Sequence, residues 1–471
     1  MSCNNRPIGS FDVIVDDLAG AFSRLSLYDH RDIGRPELPD DILYNLFLSM
    51  KTSDAPSSVR TTVKLSHVCT RWRDVIVHAP LLWTYVTVYW TPRKRDHSEV
   101  IKSFLCRSKR LSLSFHLFIS CCMACTEPRI RQLAMLLHPH AHRIHTVKVK
   151  TTFEMHSHIP ISNILPARMP LLRRLHIALP DSRRCIISVK EPRSHKEIAH
   201  FRQCLVPPIS DTHFLDWSIR SSHLTTISLK YCDMSPRQLL PILIMTQSTL
   251  LHLEIYDDWP PHPIGFTANP VVTLPNLISL SLGYLNPVPL WALVHRLILP
   301  KLRSLSVHDF GECPEPTTPT CRPQKHPTIS NDAFDLLVAM CPFTTVTHLT
   351  LRGVSCPDTT FEDMMEPMRY LFEGLESLAI IRCDTEFVDG LFEVTLDSDL
   401  SELNGLTELL VTINDYSFFM EYLRLRAARG LPRFKILAVN PRMALLRHFY
   451  RDYSDSIYVR GHKLQELRST P

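Results

Sequence analysis

The densest set of side chains able to do chemistry is Cys121-Cys122-x-x-Cys125, followed by His138, His140, His142 and His145. Thiolates and imidazoles are zinc ligands, but a structural zinc site needs four of them to converge, usually from well-spaced pairs. Here one Cys-x-x-Cys is followed by histidines with no second pair of conventional spacing. Buried thiols at a strand end and a polar histidine-rich loop account for the same residues, so no metal and no other cofactor is expected. A zinc-dependent enzyme is the remote alternative. Asp397 and Asp399 have the type needed for general acid–base work, yet they sit in a short polar stretch with nothing to tune them apart. No two glycines lie close enough for a dinucleotide or phosphate loop, and neither Gly-x-Ser-x-Gly nor His-Glu-x-x-His occurs. A non-catalytic protein is therefore expected.

Composition agrees with that expectation. The 471 residues are several times a typical domain, and 45% apolar with 21% charged residues is a globular balance that can bury a large core. Glycine is scarce (12) and proline abundant (36), which favours many short elements ended by proline over glycine-dependent tight turns. A formal net charge of +5 is small for this length and predicts no nucleic-acid or membrane partner. The run Arg93-Lys94-Arg95 reads as a solvated face. The N-terminus shows no basic stretch leading into an apolar core, and no run approaches a membrane span. Fourteen irregularly placed cysteines do not make a disulfide framework. A cytoplasmic or nuclear protein, or one found in both, is expected.

The elements divide the chain into a tail (1–35), a helical module (36–83) and a repeat array (84–471). In the module, Ile42, Leu43, Leu46, Phe47 and Met50 recur at helical spacing behind Pro39, Asp40 and Asp41, which suit a helix start. The polar stretch 52–60 reads as a loop. A second stripe follows through Leu65, Val68, Cys69, Trp72, Val75, Ile76 and Ala79, and it ends at Pro80. On periodicity alone these stripes also fit the core of an ordinary helical hairpin. A bundle this small buries little surface and needs support from a neighbour or a partner.

Leu38-Pro39, Ile42-Leu43, Leu46-Phe47, the polar gap, Leu65, Val68-Cys69, Trp72-Arg73 and Leu82-Trp83 together resemble the F-box motif in order and spacing, over 48 of the 471 residues. The resemblance implies a helical bundle that docks on the Skp-type adaptor of a cullin–RING ubiquitin ligase. It implies an adaptor surface drawn from Leu38, Pro39, Ile42, Leu43, Leu46, Phe47 and Leu65, with Val68, Cys69 and Trp72 shared between contact and internal packing.

Behind the module, the pattern Leu-x-x-Leu-x-Leu, with other aliphatics or Phe allowed, begins at Ile144, Leu172, Leu224, Leu250, Leu277, Leu302, Val346, Leu375, Leu406 and Phe434. Successive starts differ by 28, 52, 26, 27, 25, 44, 29, 31 and 28 residues, close to a leucine-rich-repeat period. The 52 reads as two periods. The 44 reads as one period plus a proline-rich insertion near 311–328, and a second insertion is expected near 181–223. The last two apolar positions of each unit alternate as in a short strand, so His252 and Glu254, Ser279 and Ser281, Ser304 and Ser306, and His348 and Thr350 point outward. Cys232, Cys383 and Asn414 fall three residues past the last strand position, where a polar side chain can satisfy a turning backbone. Helices are predicted over 237–245 (opened by Ser235-Pro236), 289–297, 331–340, 360–372 and 418–428, and strands over 85–90 and 111–118.

The predicted fold is α/β: a small N-terminal helical F-box module, then a right-handed leucine-rich-repeat solenoid with a parallel sheet on its concave face and helices outside. The function this implies is substrate recognition in an SCF-type ubiquitin ligase, with the module holding the adaptor and the repeats holding an unknown protein target. A non-catalytic scaffold that does not lead to ubiquitination is the alternative.

Overall fold

The computed structural model describes residues 38–50, 55–90, 98–119, 132–151, 169–178, 223–230, 236–256, 271–284, 287–309, 332–340, 342–354, 370–371, 374–381, 383–396, 405–412, 416–431, 436–439, 457–459 and 462–463. The tail, the Cys121–Cys125 cluster, Cys232, Asp397, Asp399, Asn414, Phe434, most of the 360–372 helix and nearly all of both predicted insertions lie outside these residues. The chain divides into two compact units, 1–153 with 163–172, and 154–162 with 173–471.

In the first unit, α1 (Asp40–Ser49) starts as its sequence requires. Pro39 is the N-cap and Asp40 and Asp41 place negative charge in the first turn. The second stripe is not one helix. α2 (Ala55–Leu65) takes up most of the stretch predicted as a loop, and α3 (Thr70–Val77) starts afresh. The break is at Cys69, whose backbone is extended and whose Sγ accepts the Trp72 N–H at 3.4 Å. A short 3-10 helix (Pro80–Trp83) closes the bundle on Trp83, whose indole N–H donates to the Ile76 carbonyl at 2.7 Å. Trp83 meets Phe104 edge-on at 4.8 Å and carries the Arg107 guanidinium 4.5 Å from its ring centre.

Three parallel strands follow: β1 (Tyr85–Trp90), β2 (Leu113–Ile119) and β3 (Ile144–Thr151), with α4 (Ser98–Arg107) between the first two. Both predicted strands appear, while α4 has no counterpart among the predicted helices. Arg143, buried at the end of a 3-10 helix (His138–Arg143), donates to the Leu105 carbonyl at 2.6 Å, to Ser108 Oγ at 3.0 Å and to the Lys109 carbonyl. It thereby satisfies carbonyls that the end of α4 leaves without helical partners.

The second unit is built on β4 (Arg174–Ala178), β5 (Thr226–Lys230), α5 (Pro236–Thr246), β6 (His252–Tyr256), β7 (Val272–Thr273), β8 (Ser279–Tyr284), α6 (Pro287–Val294), β9 (Leu297–Ile298), β10 (Ser304–Asp309), α7 (Asp332–Met340), β11 (His348–Arg352), β12 (Ser377–Ile381), α8 (Thr385–Leu396), β13 (Glu408–Thr412), α9 (Tyr416–Ala428), β14 (Ile436–Val439), β15 (Ile457–Val459) and β16 (His462–Lys463). The main sheet runs β4-β5-β6-β8-β10-β11-β12-β13-β14-β15-β16, parallel until the last pair, and β7 pairs with β9 in a separate parallel ladder.

Register puts the repeat positions on top of one another. Leu175, Ile227, Leu253, Leu280, Leu305, Leu349, Leu378 and Leu409 pair strand to strand, as do Ile177, Leu229, Ile255, Leu282, Val307, Leu351, Ile380 and Val411. Each is at most 3% exposed. Burying one such side chain contributes about 1.5–3 kcal/mol, so these two columns are the core of the array. Helices cover this face: α6 packs on β8 and on α7.

The 52-residue interval is one unit, not two. β4 pairs directly with β5 in register, with Thr226 N–H donating to the Arg173 carbonyl at 3.0 Å, so no strand stands between them. β10 and β11 likewise pair directly across the 44-residue interval, as one period plus an insertion requires. The helix predicted over 289–297 lies at Pro287–Val294, and 297–298 form β9 instead.

Candidate functional site

The module exposes apolar side chains around two helix starts. Leu38 and Pro39 precede α1, and Val68 and Cys69 precede α3, which packs on α1. Arg71 ties the starts together, donating Nε and Nη2 to Asp40 Oδ1 at 3.0 and 2.8 Å and Nη2 also to the Leu38 carbonyl. A solvated ion pair of this kind adds at most about 1 kcal/mol, and its effect here is to orient. Leu38, Ile42 and Val68 are 42%, 47% and 38% exposed, beside exposed Pro39 and Cys69.

The other sequence candidates divide differently. Leu43, Phe47 and Leu65 are 2%, 1% and 3% exposed and form the bundle's interior. Leu46 and Trp72 are half-buried, with Trp72 edge-on to Phe47 at 4.9 Å. The cause is the α1 spacing: residues 43 and 47, four apart, face inward and leave Ile42 at the edge. Val63 and Leu81, also exposed, lie outside the motif. The signal for Val63 lay in the helical pattern of 55–65, which its polar composition hid.

The second candidate surface is the outward face of the main sheet in the second unit. Glu254 is its electrostatic centre: Lys230 Nζ lies 2.7 Å from Oε1, and Ser228 Oγ donates to Oε2 at 2.5 Å. Burial pushes the Glu254 pKa up, but hydrogen bonds from Lys230 and Ser228, the Lys230 charge and Tyr256 outweigh it and hold the carboxyl below its ordinary range. Lys230 also lies 4.4 Å from the Tyr256 ring centre, and the Tyr256 hydroxyl bonds Ser281 Oγ at 2.9 Å. Gly283 stands between Tyr256 and His308 in register, and the two rings meet edge-on at 5.9 Å across the strand that carries it. At the sheet's edge, Cys383 Sγ donates to the Leu351 carbonyl of the neighbouring unit at 3.5 Å, the structural role its position predicted.

Arg143 Nη2 donates to His140 Nδ1 at 3.3 Å, and burial, Arg143 and His142 all lower the His140 pKa. A guanidinium on the ring nitrogen opposes a second cation there. Among the described residues no three His, Cys, Asp or Glu side chains are placed to hold a metal ion, and no helix is long and apolar enough to cross a membrane.

No protein-family model matches the sequence, and no curated protein matches it either. Among solved structures, the leucine-rich-repeat-containing protein LegL7 from Legionella pneumophila is similar over 75% of this chain and 94% of its own, at 11% identity and a TM-score of 0.38. The repeat character of the second unit rests on its own geometry: parallel strands in unbroken register, columns of buried aliphatics, and helices between strands. These features define an α/β repeat sheet with helices on its buried face.

Proposed function

We propose that the protein is the substrate-recognition subunit of an SCF-type ubiquitin ligase, acting in the cytoplasm or nucleus. The helical module holds a Skp-type adaptor, and the outward sheet face, taken as the concave side of the array, holds a protein target. The observation that carries this is the set of exposed apolar side chains, Leu38, Ile42 and Val68 beside Pro39 and Cys69, around two helix starts that Arg71 joins. A bundle this small that presents aliphatics to water is suited to a partner's apolar groove. In this role no side chain of the chain makes or breaks a bond. The assembly raises the effective concentration of the target's lysines near a charged conjugating enzyme.

Ile42→Asp with Val68→Asp tests it. Both side chains are exposed, so the melting temperature is expected to hold while co-purification with the adaptor is lost. An adaptor still bound by the folded double variant overturns the assignment. Deleting 36–83 is then expected to lengthen the lifetime of bound targets, whereas a scaffold without ubiquitination leaves those lifetimes unchanged.

A further inference from the structure

We infer that the outward face of β4–β11 recognises an acidic, extended polypeptide segment. This deepens the target-capture half of the proposal above and is independent of the adaptor half. Among the outward residues of the six main-sheet strands β4, β5, β6, β8, β10 and β11, Glu254 is the sole carboxylate, and Lys230 and Ser228 already take up its oxygens. Among the described residues, no such partner meets the exposed guanidinium side chains of Arg174 on β4 and Arg352 on β11, at the two ends of this stretch. Exposed His252 and His348 share a register row with Arg174, and most other outward positions are serine or threonine. The face thus offers cations and neutral hydrogen-bonding groups, with no free anion to repel a carboxylate-bearing chain.

The dimensions suit a peptide. Five steps of about 4.8 Å separate β4 from β11, a span of roughly 24 Å that an extended chain covers in about seven residues. Beyond β11 the sign changes: exposed Glu376 precedes β12 and Glu408 opens β13. That change confines the acidic segment to β4–β11.

The test uses the full chain and three probes at low salt: a glutamate-rich peptide of about ten residues, its glutamine counterpart, and a single-stranded RNA of similar charge. The glutamate peptide alone is expected to bind, and Arg174→Glu with Arg352→Glu is expected to weaken it by about tenfold or more. An equal charge change off the sheet, Arg110→Glu with Arg429→Glu, is expected to alter binding by less than about twofold, with circular dichroism confirming that both variants fold. Equal binding of the glutamine peptide, an equal loss in the off-sheet variant, or tighter binding of the RNA overturns the inference. Ile42→Asp with Val68→Asp is expected to leave peptide binding intact whether or not it abolishes adaptor binding, so the two readings fail separately.

Discussion

Glu254 is a carboxylate whose surroundings decide its charge, and that charge links stability to pH. Its folded pKa lies below the unfolded one because the Lys230 and Ser228 hydrogen bonds outweigh burial. A depressed carboxyl pKa contributes stability that is complete above the unfolded value near 4.3 and is lost as pH falls through the folded value. Glu254→Gln is therefore expected to cost about 1–2 kcal/mol at neutral pH. The gap between wild type and variant should close in acid, as read from urea unfolding at a series of pH values. A gap that stays constant with pH would show that the charge plays no role. His140 follows the same sign, since its lowered pKa penalises the folded state as pH falls below the ordinary imidazole range. The partners of Glu254 were not legible in the sequence, because Ser228 and Lys230 precede it by 26 and 24 residues and meet it only through the parallel register of β5 and β6.

At the scale of elements, what the sequence disclosed is what has a short period. Strand positions alternate every second residue, so the triplets could be read directly, and the triplet residues from Ile144 to Val411 are buried. The contrast between faces can be measured. Leu305→Ala removes a column side chain and is expected to cost about 2–5 kcal/mol. The adjacent outward change Ser306→Ala should stay within about 0.5 kcal/mol. Equal costs in thermal or chemical unfolding would refute the assigned inward and outward faces. The helices were harder. α8 buries Phe387, Val388, Leu391 and Phe392 at helical spacing, yet Gly390 within it lowers its apparent propensity. The break between α2 and α3 is held by local hydrogen bonds, Trp72 N–H to Cys69 Sγ and Arg73 Nε to the Ser66 carbonyl among them, which have no periodicity to betray them.

For the whole molecule, the order of a helical module followed by a repeating sheet was readable, but the number of units was not. A spacing counts residues and not strands, and β5 accepts β4 as its neighbour however long the excursion between them. The same reasoning predicts tolerance in the other long interval. Because β10 and β11 pair directly, replacing 312–328 with a short flexible linker is expected to leave the melting temperature almost unchanged, since loop closure depends only weakly on length. A large drop would show that the segment packs on the array. The small β7–β9 ladder also matters at this scale. It gives the junction between the β8 and β10 units a second set of backbone bonds, Val272 N–H to Arg296 and Leu274 N–H to Ile298, in addition to the main sheet. Among the described residues no other seam carries a second ladder, so under tension applied along the array this seam is expected to yield after its neighbours. The β8–β10 block should then come away whole, as the last piece of the array to keep its amides from exchanging with solvent.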